Sequence, residues 1–203
     1  MIYNIELLDL FSHWDCHNEP VPHDELQEEL GRLSLERGDF GGCIIFNDFN
    51  YQRILIHRGP AYEALVLCWR SGQRSPIHDH SGSACVIHVV EGSATETIFE
   101  PSPCGRLVPT HSHTAGAGSI CASYDSDIHQ LANLEPPGRD LITLHVYSPP
   151  LARMRLYSLD DTTLAHHDDM IALRPQTIVA TVRTNGSQGR FDTALAQRSG
   201  KTP

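Results

Sequence analysis

The chain of 203 residues, with 40% hydrophobic and 20% charged side chains, has a globular composition and room for one domain with a sizeable core. Its 25 acidic against 15 basic residues leave a formal net charge of -10, which excludes the basic face that a general nucleic-acid or anionic-membrane binder needs. No apolar run reaches the ~20 residues of a membrane span, and the start MIYNIELLDLF lacks a signal peptide's basic region and cleavage site. A cytoplasmic protein is expected.

Residues 5–16 and 23–36 (for example Leu26, Leu30 and Leu33) repeat apolar side chains near i, i+3, i+4 and i+7, which predicts two helices. Gly38, Gly41 and Gly42 close that region. From Cys43 the texture changes to short β-rich runs: 43–47, 51–57, 63–69, 85–90, 94–99, 118–122, 128–132, 141–147, 152–158 and 176–183. Strands this many and this short, separated by Gly, Pro, Asn and Asp, predict a mainly β protein, an antiparallel sandwich or barrel. The expected organisation is a helical segment over 1–42, a barrel over 43–183 and a polar tail over 184–203. The six cysteines, at 16, 43, 68, 85, 104 and 121, form no CxxC pair, so free thiols are expected and a zinc finger is disfavoured.

The strongest chemical signal is His78-Asp79-His80. On a strand, residues i and i+2 share a face roughly 6.5–7 Å apart, so two imidazoles can converge on one metal. Gly72 lies six residues before His78 and Gly92 twelve after His80; Gly118, His129 and Asn133 follow later. In this order they resemble the two cupin motifs G-x5-H-x-H-x4-E-x6-G and G-x5-P-x-G-x2-H-x3-N. Cys85 stands in place of the first motif's glutamate, and Tyr124 and Ser126 stand where Pro and Gly are usual. His78, His80 and His129 are thus the candidate ligands, with no protein carboxylate among them. Such a site leaves open positions for an anionic thiolate and dioxygen.

The stretches CWRSGQRSPIHDHSGSAC, EGSATETIF and LHVYSPP narrow the resemblance to the thiol dioxygenases, and within them the cysteine dioxygenases, over roughly residues 40–160. The resemblance implies a cupin-type antiparallel β-barrel with N-terminal helices, a monomer, and mononuclear non-haem Fe(II) held by His78, His80 and His129. It implies oxidation of L-cysteine by O2 to cysteine sulfinate. It also implies a thioether between Cys85 and the Tyr147 ring as a protein-derived cofactor; read alone, Cys85 is a buried strand cysteine.

Tyr51 and Arg53, two apart on a strand, can both face the interior. Arg53 suits a salt-bridged rim or, through its guanidinium fork, a substrate carboxylate. In the resembling family the corresponding Arg and Tyr grip the carboxylate of cysteine, and relatives preferring 3-mercaptopropionate have Gln at the Arg position. Thr143, His145 and Tyr147 alternate on one face of LITLHVY, either as ordinary sheet contacts or as a relay holding the Tyr147 hydroxyl over the iron. The family usually has Ser where Thr143 stands. Relatives also carry a cis peptide at the position of Ser148-Pro149. His88, facing away from Cys85 and Ile87, and the pairs His111/His113 and His166/His167 are expected outside the metal site. Two rival readings are a dioxygenase of 3-mercaptopropionate or cysteamine and a non-enzymatic metal-binding cupin; a Zn or Mn isomerase is weakened by the missing glutamate.

Overall fold

The computed structural model describes residues 2–124, 127–159 and 178–179. The expected tail from Thr184 and the His166/His167 pair lie outside the described residues, and the expected 176–183 strand is described only at Ile178–Val179. Asn4 opens helix α1 (Ile5–Trp14), its side chain accepting from the Leu7 amide at 2.9 Å. Leu7, Phe11 and Trp14 follow at helical spacing and are buried. Helix α2 (His23–Gly31) buries Leu26 and Leu30 and stops at Gly31, five residues before the expected end; the glycine lowers helix propensity there. The Trp14 indole donates to Glu29 at 2.6 Å and ties α2 to α1. The expected strand at 43–47 is absent. A 3-10 turn over Arg37–Cys43 leads instead into an extended segment whose Ile44, Ile45 and Phe46 pack on the core without ladder bonds.

Among the described residues eleven strands follow: β1 (Gln52–Arg58), β2 (Glu63–Trp69), β3 (Ile77–His78), β4 (Ala84–Glu91), β5 (Ser93–Pro101), β6 (Leu107–Gly116), β7 (Ile120–Ser123), β8 (Ile128–Ala132), β9 (Leu141–Ser148), β10 (Leu156–Tyr157) and β11 (Ile178–Val179). They form one sheet in the order β11-β1-β2-β9-β4-β7 and a second in the order β10-β3-β8-β5-β6. Every neighbouring pair is antiparallel except β1 with β11. Strand β6 was not expected: it is exposed nearly throughout and contains Pro109, so it carries no alternating apolar pattern.

The first sheet is covered on both faces, and the alternation of side chains along β2 and β9 divides two cores between them. Ala64, Val66, Cys68, Ile142, Leu144 and Val146 pack under the helices. Leu65, Leu67, Trp69, Leu141 and Tyr147 face the second sheet. Both strands are buried throughout, so they read as continuous runs. The polar members of β9, Thr143 and His145, alternate with the helix-facing residues and fall on the same face as Tyr147. Among the described residues no helix is long and apolar enough to cross a membrane.

Candidate metal centre and substrate pocket

His78 ends β3, and its backbone pairs with His129 of β8 directly opposite. His80 follows in the turn that leads to β4. The three rings meet with centroids 4.6 to 5.2 Å apart, and one nitrogen from each lies within 4.8 Å of the others. All three residues are buried. His78 and His80 have pKa values well below the usual imidazole range, chiefly because burial disfavours their charge, with neighbouring histidines adding to it. Neutral rings present lone pairs, as metal ligands must.

The hydrogen bonds around these rings fit a metal. His78 Nδ1 lies 2.9 Å from the Pro76 carbonyl and His129 Nδ1 lies 2.5 Å from Glu96 Oε1. Each Nδ1–H donates outward, which leaves Nε2 free to coordinate. The Nε2 atoms of His80 and His129 face each other at 3.3 Å. Nitrogens about 2 Å from one metal, at right angles, stand ~3 Å apart. His80 Nδ1 is buried without a partner.

Glu96 escaped the reading of the sequence. Within the polar stretch Thr95-Glu96-Thr97 it looks solvent-facing, yet it is buried. Strand alternation carried the signal: Glu96 shares a face with Ala94 and Ile98, and Ile98 pairs with His129. Asp79 was missed too. Its carboxylate accepts from Ser81, from the Arg155 amide and from the Tyr157 hydroxyl, fixing the turn between the two histidines.

The triad forms the floor of a pocket with about 350 Å³ of empty space, its open mouth included. Tyr51, Arg53, Trp69, His145, Tyr147 and Met154 complete much of its wall. Tyr51 stacks on Trp69 with centroids 4.1 Å apart and hydrogen-bonds Arg53. Burial works against the charge of Arg53, but Tyr147, Tyr51 and Glu63 outweigh it and raise its pKa. The pocket therefore holds a permanent cation. On β9, Thr143 Oγ1 lies 2.9 Å from His145 Nε2, and His145 Nδ1 lies 3.3 Å from the Tyr147 hydroxyl. The Trp69 indole donates to Thr143 Oγ1 at 3.0 Å, a contact the sequence did not reveal. Burial lowers the His145 pKa far below its usual value and raises that of Tyr147 far above.

Cys85 and Tyr147 are direct cross-strand partners on β4 and β9, and their side chains hydrogen-bond. Directly opposite Cβ atoms lie ~4.5–5.5 Å apart, and burial pushes the Cys85 thiol pKa up. The Ser148-Pro149 bond is cis. His88 turns away from Cys85, its Nδ1 3.1 Å from the Leu30 carbonyl beneath α2. Asn133 is structural: its amide donates to the Trp69 and Arg139 carbonyls.

Two facing β-sheets with three buried histidines gathered between them define a metal-binding protein of the cupin type. A family model described as "Cysteine dioxygenase type I" matches residues 33–160. The chain is 30% identical to "Cysteine dioxygenase type 1" of Rattus norvegicus over 136 residues, 65% of this chain and 68% of the relative. It is 27% identical to the protein of that name from Danio rerio over 166 residues, 77% and 78% of the two chains. Among solved structures, a Klebsiella pneumoniae protein with a double-stranded beta-helix domain aligns with a TM-score of 0.48 at 18% identity, covering 56% of this chain and 84% of that one. The chain belongs to the cysteine dioxygenase type I family, a non-haem iron thiol dioxygenase family of the cupin superfamily.

Proposed function

We propose that the protein oxidises L-cysteine with O2 to cysteine sulfinic acid, adding both oxygen atoms to sulfur. The observation that carries this reading is Arg53, hydrogen-bonded to Tyr51 on the wall of the pocket whose floor is the histidine triad. A guanidinium fork matches a carboxylate in two parallel hydrogen bonds. It therefore selects an amino-acid thiol over cysteamine, which has no carboxylate and carries its own cation.

His78, His80 and His129 would hold Fe(II) through their Nε2 atoms. Bound there, iron supplies the redox chemistry with dioxygen and favours the deprotonated sulfur of the substrate. The protein's residues do the rest. Arg53 and Tyr51 grip the carboxylate and so fix where the thiol lies. Glu96 holds the His129 ring, and the Pro76 carbonyl holds that of His78. Tyr147 presents a protonated phenol to the pocket, oriented by His145 and Thr143. Leu67, Leu131 and Met154 give the pocket an apolar wall that limits water.

A Cys85–Tyr147 thioether belongs to the same reading and is supported by their opposed register. It forms by loss of the thiol hydrogen and the ring hydrogen ortho to the hydroxyl, with O2 accepting the two electrons.

The test is O2 uptake by Fe(II)-loaded protein offered L-cysteine and 3-mercaptopropionate in parallel, with sulfinate quantified. Uptake with cysteine and two oxygen atoms in the product is expected. A preference for 3-mercaptopropionate overturns the substrate. No uptake with either by iron-loaded protein overturns the enzymatic reading.

A further inference from the structure

A second gathering of ligand-type side chains lies on the other side of Glu96. Glu96 on β5 and His113 on β6 are direct cross-strand partners. Glu96 Oε2 lies 3.4 Å from His113 Nε2. Cys121 arrives from β7, in the other sheet, and brings its Sγ within 4.0 Å of that same Nε2. One carboxylate oxygen, one imidazole nitrogen and one sulfur thus lie within 4.8 Å of one another. Glu96 and Cys121 are buried, whereas the His113 side chain is 41% exposed and opens the cluster to solvent.

As a simple ion pair, His113 would partner the buried carboxylate, but that leaves Cys121 without a purpose in the cluster. The chemistry of the set is more specific. Sulfur and imidazole favour a borderline-soft cation, while magnesium and calcium favour oxygen alone. Zinc combines thiolate, imidazole and carboxylate in one shell, with water in a remaining position.

We propose that Glu96, His113 and Cys121 form a second metal site for a divalent cation of the zinc class, separate from the three-histidine centre but sharing Glu96 with it. The two carboxylate oxygens face opposite ways: Oε1 meets His129 and Oε2 meets His113. Binding releases the Cys121 thiol proton to solvent and uses the lone pair of a neutral His113. The site stands whether or not the three-histidine centre turns over cysteine.

Cd2+ tests this directly, because a thiolate–cadmium bond has an ultraviolet charge-transfer absorption that a three-histidine site lacks. The exposed Cys16 and Cys104 are first replaced by serine in the full chain, to remove surface thiols. The expected result is one thiolate-bound Cd2+ per chain, retained in His78→Ala and lost in Cys121→Ser. His113→Ala, on an exposed strand, should weaken it on the order of tenfold or more. Absence of the band, its persistence in Cys121→Ser, or unchanged titration of His113→Ala would each overturn the site.

Discussion

Replacing Glu96 by glutamine isolates the electrostatic part of its contact with His129. The side chains are nearly the same size, and the glutamine oxygen can still accept from Nδ1–H, so ring orientation survives. What disappears is a buried negative charge 2.5 Å from the imidazole. That charge makes Nε2 a better donor to a cation. Outer-shell partners of this kind change metal affinity by ~10–100-fold, or about 1.4–2.8 kcal/mol. Folding stability should move little, because the burial cost of the charge disappears with its benefits. The assay is chelator competition for Fe(II) or Co(II) under anaerobic conditions, paired with thermal unfolding of the metal-free protein. Affinity lowered by at least tenfold with near-normal unfolding is expected. Unchanged affinity would refute the role given to Glu96, and a collapsed unfolding temperature would make it a folding residue instead.

Arg53→Gln removes a charge-assisted contact worth ~1.5–3 kcal/mol, so kcat/KM for cysteine should fall roughly 10- to 150-fold, read by O2 consumption; an unchanged value discards the carboxylate anchor. Cys85→Gly should lower activity without abolishing it. Intact mass after turnover should show two hydrogens missing from the parent and none from the variant. Gly92 has a φ of +82°, and an added Cβ would sit 2.4 Å from the Asp140 carbonyl oxygen. Gly92→Ala should therefore cost about 2 kcal/mol, a fall of roughly 4–8 °C in Tm, with metal content of the folded protein unchanged.

The parts legible in the sequence were those whose pattern is local. The His-x-His pair and the later His129 do meet, although His80 reaches the cluster from the turn after β3 rather than from a strand, and Thr143, His145 and Tyr147 line up where strand alternation puts them. What stayed hidden depended on partners distant in the chain. Glu96 reads as surface until β8 brings His129 beside it, and Trp69 reads as plain core until β9 sets Thr143 under its indole. The run 43–47 satisfies a strand pattern, yet it lies outside both sheets, and its Cys43, Ile44, Ile45 and Phe46 serve packing instead. Strand β6 is the converse: backbone pairing with β5 defines it, while its exposed polar side chains conceal it.

The indole of Trp69 has a consequence beyond packing. An indole N–H can only give a hydrogen, never receive one. Thr143 Oγ1 accepts it, which leaves the hydroxyl its own hydrogen to give to His145 Nε2, 2.9 Å away. With that bond made, a neutral His145, which holds one ring hydrogen, carries it on Nδ1, facing the Tyr147 oxygen. The phenol is then an acceptor on that side, and its own hydrogen is turned toward Cys85 and the pocket. A donor two side chains removed thus favours one polarity along the row, set from the wall of the fold.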